Sequence, residues 1–194
     1  MQVSWWRYKF PMGRTRDGVP ILVHWTVPAA CLFLLGVWIE ALPIAIVGLA
    51  CYLAILFLHE AGHHWLARRR GCRVLAIEIY PLHGRCVYEP YVQFDEVVVA
   101  WGGVLAQLVV ALPLVAYVAV FGPTPYEPLN AVFAILGFFS LALAIFNLIP
   151  VRPLDGRRAW AILPHLLRRR RRQPPRELTA TEALEEALRK ARKK

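Results

Sequence analysis

From Ile44 to Leu58 the chain runs fifteen residues without a charge, and this stretch is one of several of its kind. Apolar segments occupy roughly 25–41, 43–66, 97–121 and 129–149. Each is about 17–25 residues long, which is what a helix needs to cross a ~30 Å hydrocarbon core. Four such segments in 194 residues leave little sequence to make an aqueous surface. A soluble chain would have to bury four helices on all sides. The composition agrees: 58% of residues are hydrophobic and mean hydropathy is +0.44, against ~45–50% apolar residues in ordinary soluble domains. The pattern therefore predicts an α-helical polytopic membrane protein with about four transmembrane helices.

The basic residues fix an orientation. Four of the 23 Lys and Arg precede the first apolar segment, five lie between the second and third, and fourteen follow residue 150. The other two connections, near 41–43 and 122–128, have none. Alternation of this kind follows the positive-inside rule, so both termini are expected on the cytoplasmic side. The net charge of +10 is accounted for by this placement, and no nucleic-acid partner is implied. The N-terminal "MQVSWWRYKFPMGRTRDG" lacks the short apolar core and small-residue cleavage site of a signal peptide. The four cysteines, Cys31, Cys51, Cys72 and Cys86, show no CxxC spacing, which argues against a disulfide framework or a cysteine zinc site.

The expected organisation is a cytoplasmic segment over 1–24, a membrane-embedded core over 25–165 and a basic cytoplasmic tail over 166–194. Between the second and third spans, Leu75, Ile77 and Ile79 alternate with Val74, Ala76, Glu78 and Tyr80. This period of two reads as a strand. "PLHG" is a turn and "RCVY" a returning strand, so a short membrane-associated β-hairpin is predicted there. In the tail, "RRRRRQPPRE" reads as a charged linker. "TATEALEEALRKARKK" reads as a solvated helix, with Thr179 and Glu182 at capping-box spacing.

The second apolar segment ends in "HEAGHHWLARRR". A helix puts His59 and His63, four apart, on one face. Glu60 stands beside them. Zinc takes neutral imidazole nitrogen, and a catalytic zinc site uses three protein ligands with one position left open. HExxH on a helix is the metalloprotease arrangement, its Glu serving as base. His59 falls ~22 Å along the helix from the outer end of the apolar run. Ionisable groups at such depth are costly and tend to be paired and functional. His64, about 140° around the helix from His59, reads as an interfacial residue.

A third ligand has to come from elsewhere. "NLIPVRPLDGRR", 147 to 158, closes the fourth segment. Pro150 and Pro153 end the helix, and Asp155 follows in a turn closed by Gly156. A carboxylate here suits a site with two histidines. Asp155 reads equally well as the N-cap of "GRRAWAILPHLL". A metal-binding or transport protein of the membrane would use the same His and Asp residues without needing Glu60 as a base.

"HEAGH" in one apolar helix with "NLIPVRPLDG" at the end of a later one resembles the site-2 protease family of intramembrane zinc metalloproteases. "GVPILVHWT" before the first span, the hairpin at 73–88 and "GGVLAQ" at 102–107 fit the same family. The likeness covers about residues 18–165 and indicates a minimal member without a PDZ or nucleotide-sensing domain. Val104 stands where the family often has Pro, Gln107 where it often has Asn, and His83 where a second Gly is common in the hairpin.

The resemblance implies one zinc ion per chain held by His59, His63 and Asp155. It implies Glu60 as proton acceptor and Asn147 as a second catalytic side chain. Gln107, Gly102 and Gly103 become substrate-contacting residues. The implied substrate is a transmembrane protein, cut within or near its membrane segment. The implied location is a prokaryotic cell membrane, with the bilayer itself as the other partner.

Overall fold

The computed structural model describes residues 8–152 and 154–164. The tail helix and linker expected over 166–194 lie outside the described residues. Contacts divide the chain into two units, Met1–Ile162 and Leu163–Lys194. Every strand and helix named below lies in the first unit.

Two strands open it, β1 (Lys9–Arg14) and β2 (Pro20–His24). Their connecting turn is set by Gly18 at φ 84, a conformation that costs glycine little. Thr15 Oγ1 also accepts the Val19 N–H at 3.0 Å. Helix α1 (Thr26–Val37) and a 3₁₀ turn (Ile39–Ala41) lead into α2 (Leu42–Arg69), with Pro43 in its first turn. That position suits proline, whose missing N–H has no helical partner there. α2 rises about 42 Å and ends on Arg68 and Arg69, cations that favour the negative end of the helix dipole. Gly71, at φ 78, terminates it. The Gly71 N–H reaches the Arg68 carbonyl at 3.0 Å and the Cys72 N–H the Ala67 carbonyl at 2.9 Å. This is the Schellman pattern.

The predicted hairpin follows as β3 (Arg73–Ile79) and β4 (Gly84–Glu89). A register shift between Val74 and Ala76 turns Leu75 outward and buries Val74. The sheet has four strands, not two, in the order β1-β2-β3-β4, with β2 parallel to β3. The segment before the first span is thus part of the sheet. Ile77, Ile79, Val74 and Cys72 share a small core with Leu56, Ala67 and Val99. That core docks the sheet on α2 and on the next helix.

Helix α3 (Gln93–Phe121) carries Asp95 in its first turn, whose Oδ2 accepts the N–H groups of Tyr91 and Val92 at 3.2 and 3.1 Å. Arg70 closes on the other oxygen at 2.8 Å, tying the end of α2 to the start of α3. The last long rod is α4 (Glu127–Val132), a π-helical segment (Phe133–Phe139) and α5 (Ser140–Asn147). A short α6 (Gly156–Ala159) follows.

Among the described residues, three helices are long and apolar enough to cross a membrane: Ile39–Arg69, Gln93–Phe121 and Glu127–Asn147. The expected first span forms only the twelve residues of α1, about 18 Å, because the chain tightens into the 3₁₀ turn after Trp38. Large side chains on these helices point outward: Phe33, Val109, Val120 and Phe121 are each 70–74% exposed. In water such a surface would be severely unfavourable. In hydrocarbon it is the expected one.

Candidate metal centre

Helices α2 and α3 touch backbone to backbone. A Cβ on Gly62 would fall on the Gly102 carbonyl, and one on Gly102 would fall on the Gly62 carbonyl. This close approach puts the HExxH turn of α2 directly against α3. A Cβ at Gly103 would strike the His59 ring. Gly102 and Gly103, read as substrate contacts from the sequence, lie in this helix-to-helix seam.

Within the seam three acceptor atoms converge. His59 Nε2 lies 3.0 Å from Asp155 Oδ2, His63 Nε2 lies 3.1 Å from the same oxygen, and the two Nε2 atoms are 3.0 Å apart. Each ring has its other nitrogen engaged. His59 Nδ1 is 3.0 Å from Gln107 Oε1, and His63 Nδ1 is 2.8 Å from the Val99 carbonyl. With the Nδ1–H groups donating to these oxygens, both Nε2 lone pairs face inward. One proton can lie between only one pair of the three converging atoms. A cation among them serves all three. Zn–N and Zn–O bonds of ~2.0–2.1 Å at tetrahedral angles place ligand atoms ~3.3 Å apart, close to the observed spacing. The donor set, two imidazoles and a carboxylate, suits zinc, and the oxygens behind the rings are the outer partners such ligands use.

Asp155 arrives by a specific route. Gly156 packs on the Leu148 carbonyl with no room for a Cβ. Trp160 donates its indole N–H to that carbonyl at 2.6 Å, and Trp101 donates to the Ala159 carbonyl at 3.0 Å. Asp155 stands at the N-cap position of α6, but its carboxylate makes no cap hydrogen bond. Its side chain goes to the histidines instead. Burial alone would raise its carboxyl pKa. The hydrogen bonds with His59 and His63 outweigh burial and hold it well below the usual carboxylate range.

Glu60, next to this set, is 2% exposed, and its Oε2 has no hydrogen-bond partner among the described residues. One of its carboxylate oxygens lies within 4.8 Å of the histidine nitrogens. Gln107, expected to contact substrate, is 1% exposed and faces His59. Asn147 ends α5, and no hydrogen bond joins it to the other site residues among those described. His64 turns away to Asp17 at 3.2 Å, and Arg68 meets the same carboxylate at 2.8 Å, so the β1–β2 turn is held to α2. The Val99 carbonyl and Gly84, which abuts Glu60, had no signal in the sequence. One acts through its backbone and the other through an absent side chain.

An HExxH pair and an aspartate meet between apolar helices, beside a small sheet, in an arrangement that could hold a metal ion. Comparison with known proteins agrees. The family description Peptidase family M50 matches residues 122–184. The fold is that of the site-2 protease from Methanocaldococcus jannaschii, with a TM-score of 0.63 and 24% identity over 81% of this chain and 73% of that one. The Synechocystis sp. protein sll0528, a provisionally assigned zinc metalloprotease, is 36% identical over 124 residues, 61% of this chain and 30% of its own length. Zinc metalloprotease MJ0392 of Methanocaldococcus jannaschii is 26% identical over 149 residues, 73% of this chain and 41% of its own length. The chain thus spans less than half the length of either of these curated relatives. In sequence the chain is similar to the M50 zinc metalloproteases over part of its length, and in fold to a site-2 protease.

Proposed function

We propose that the chain is an intramembrane zinc metalloprotease that hydrolyses peptide bonds within or near the transmembrane segments of membrane proteins. The observation that carries this is the meeting of His59 Nε2, His63 Nε2 and Asp155 Oδ2 at 3.0–3.1 Å beside the buried, unpartnered Glu60 oxygen. His59, His63 and Asp155 would hold the metal. Zinc, when bound, polarises a water and a substrate carbonyl. Gln107 and the Val99 carbonyl keep the two rings in the tautomer that leaves Nε2 free. Glu60 Oε2 takes the proton of the attacking water and returns it to the leaving amine. Asn147 helps to polarise the scissile carbonyl, Gly102 and Gly103 let α3 pack against the HExxH turn, and Gln107 acts through His59.

A helical substrate hides its carbonyls in hydrogen bonds and has to unwind before cleavage. β4 is an edge strand of the sheet and begins against Glu60. An unwound segment adding to that edge would pass the site. Both termini are assigned to the cytoplasmic face, with the metal site near that side of the membrane. This agrees with the placement of every Lys and Arg in the sequence. The core is assigned to 25–165 with the sheet at the membrane surface. The test is comparative membrane proteomics of cells carrying the wild-type chain or Glu60→Gln. Single-span proteins shortened only with the wild type support the proposal, and identical profiles contradict it.

A further inference from the structure

Gly84 opens β4, and its backbone does not require glycine. The glycines at positive φ are Gly18, Gly71 and Gly122, so the conformation at Gly84 is one any residue can adopt. The constraint is one of space. A Cβ at Gly84 would fall on Cγ, Cδ and Oε1 of Glu60. Among the described residues, Glu60 Oε2 keeps no hydrogen-bond partner.

The hairpin is pinned where this matters. Tyr52, on α2 two turns before Glu60, donates its hydroxyl to the Pro81 carbonyl at 2.7 Å. The Tyr80 N–H closes the turn on the His83 carbonyl at 2.9 Å. The register Ile77↔Cys86 and Ile79↔Gly84 then fixes the height of β4 over α2. The strand and the helix bearing Glu60 are held in one packed unit, and the carboxylate has one place to go.

We propose that Gly84 is a positioning residue for Glu60. Its missing side chain makes the slot in which the carboxylate lies against β4, with Oε2 left free beside the metal ligands. This rests on reading Glu60 as the proton acceptor next to a bound metal. The three atoms nearest to an added Cβ all belong to Glu60, so filling the slot acts first on the base and not on the ligands.

The test needs no substrate. The full-length chain, purified in detergent, is loaded with Co²⁺, and acetohydroxamate is titrated while the visible absorption of the metal is followed. A hydroxamate on the metal shares its proton with the neighbouring carboxylate, so its affinity reports where that carboxylate is. Gly84→Ala is expected to weaken acetohydroxamate by about tenfold or more, as misplacement of a reacting group by ~1 Å does. Its Co²⁺ affinity should stay within about twofold of wild type, the scatter of independent sites. Glu60→Asp withdraws the carboxylate from the overlap. In that background Gly84→Ala should cost less than about threefold more, the signature of coupled residues.

Unchanged acetohydroxamate affinity in Gly84→Ala overturns the inference. So do equal losses in both backgrounds, which would mean damage to the hairpin and not to the position of Glu60. Failure of the wild type to take up Co²⁺ overturns the metal reading and this inference with it. Co²⁺ uptake with an indifferent Gly84→Ala overturns this inference alone.

Discussion

Gly62→Ala tests whether the contact between α2 and α3 builds the metal site. The added Cβ would land on the Gly102 carbonyl and 2.7 Å from Ala106 Cβ. Neither neighbour can turn aside, since one is backbone and the other is the first atom of its side chain. Carbon needs roughly 3.5 Å to a neighbouring heavy atom, so the helices have to part by about 1 Å. Both outer hydrogen bonds cross this seam: His63 Nδ1 to the Val99 carbonyl at 2.8 Å and His59 Nδ1 to Gln107 Oε1 at 3.0 Å. Opened by that amount, they pass the ~3.5 Å beyond which such contacts cease to be hydrogen bonds. Loss of an outer partner typically costs 10–100-fold in metal affinity, or about 1.4–2.7 kcal/mol. Overpacking adds about 1–3 kcal/mol against folding. The assay is competition for zinc with a chromophoric chelator, run beside thermal unfolding in detergent. Gly48→Ala is the control. Its Cβ would meet only the mobile tip of Ile135 at 3.2 Å, so zinc affinity should be unchanged. Wild-type affinity in Gly62→Ala would refute the claim that the seam orients the ligands.

Gln107→Leu removes the acceptor behind His59 and should weaken zinc about 10–100-fold, while Gln107→Glu, which keeps an oxygen there, should lose less; equal losses would show that the acceptor is irrelevant. Cys86 lies outside the spans. Burial first, and then the Glu60 charge, push its thiol up to about 12. A raised thiol pKa means that the neutral form persists as pH rises, so alkylation at pH 9 followed by mass spectrometry should leave Cys86 unmodified, and reaction at the rate of a thiol titrating near ~8.5 would contradict the assignment. Reporter tags at residue 1 and residue 194 should both read as cytoplasmic and a tag within 122–128 as external, whereas termini on opposite faces would put the two metal motifs at different depths.

The spacing of "HEAGH" follows from a local rule, two histidines on one helical face, whereas "LDG" alone reads equally well as a metal ligand and as a helix cap. The long spans and the β3–β4 hairpin were legible from hydropathy and a period of two. The four-stranded sheet was not. β1 carries Pro11 and a register shift before Gly13, which breaks the alternation that announces a strand. β2 pairs in parallel with β3 across some fifty residues, and no local pattern encodes that partner. The seam between Gly62 and Gly102 was equally hidden, since two glycines far apart in sequence say nothing of one another. Gln107 was read as facing substrate because its segment resembled a family motif. The structure turns it to the His59 ring, so its chemistry reaches the site through a metal ligand.

The central claim is that Glu60 moves a proton beside a metal held by other residues. Glu60→Gln keeps the size of the side chain but cannot accept the proton. Purified protein of each form is assayed for zinc content and for cleavage of a single-span membrane substrate in liposomes, using a protein that the proteomic comparison shows to be shortened. The account predicts about one zinc per chain in both forms, with cleavage lowered by roughly 10²–10⁴-fold in Glu60→Gln. Undiminished cleavage by Glu60→Gln, or loss of zinc together with activity, would contradict it.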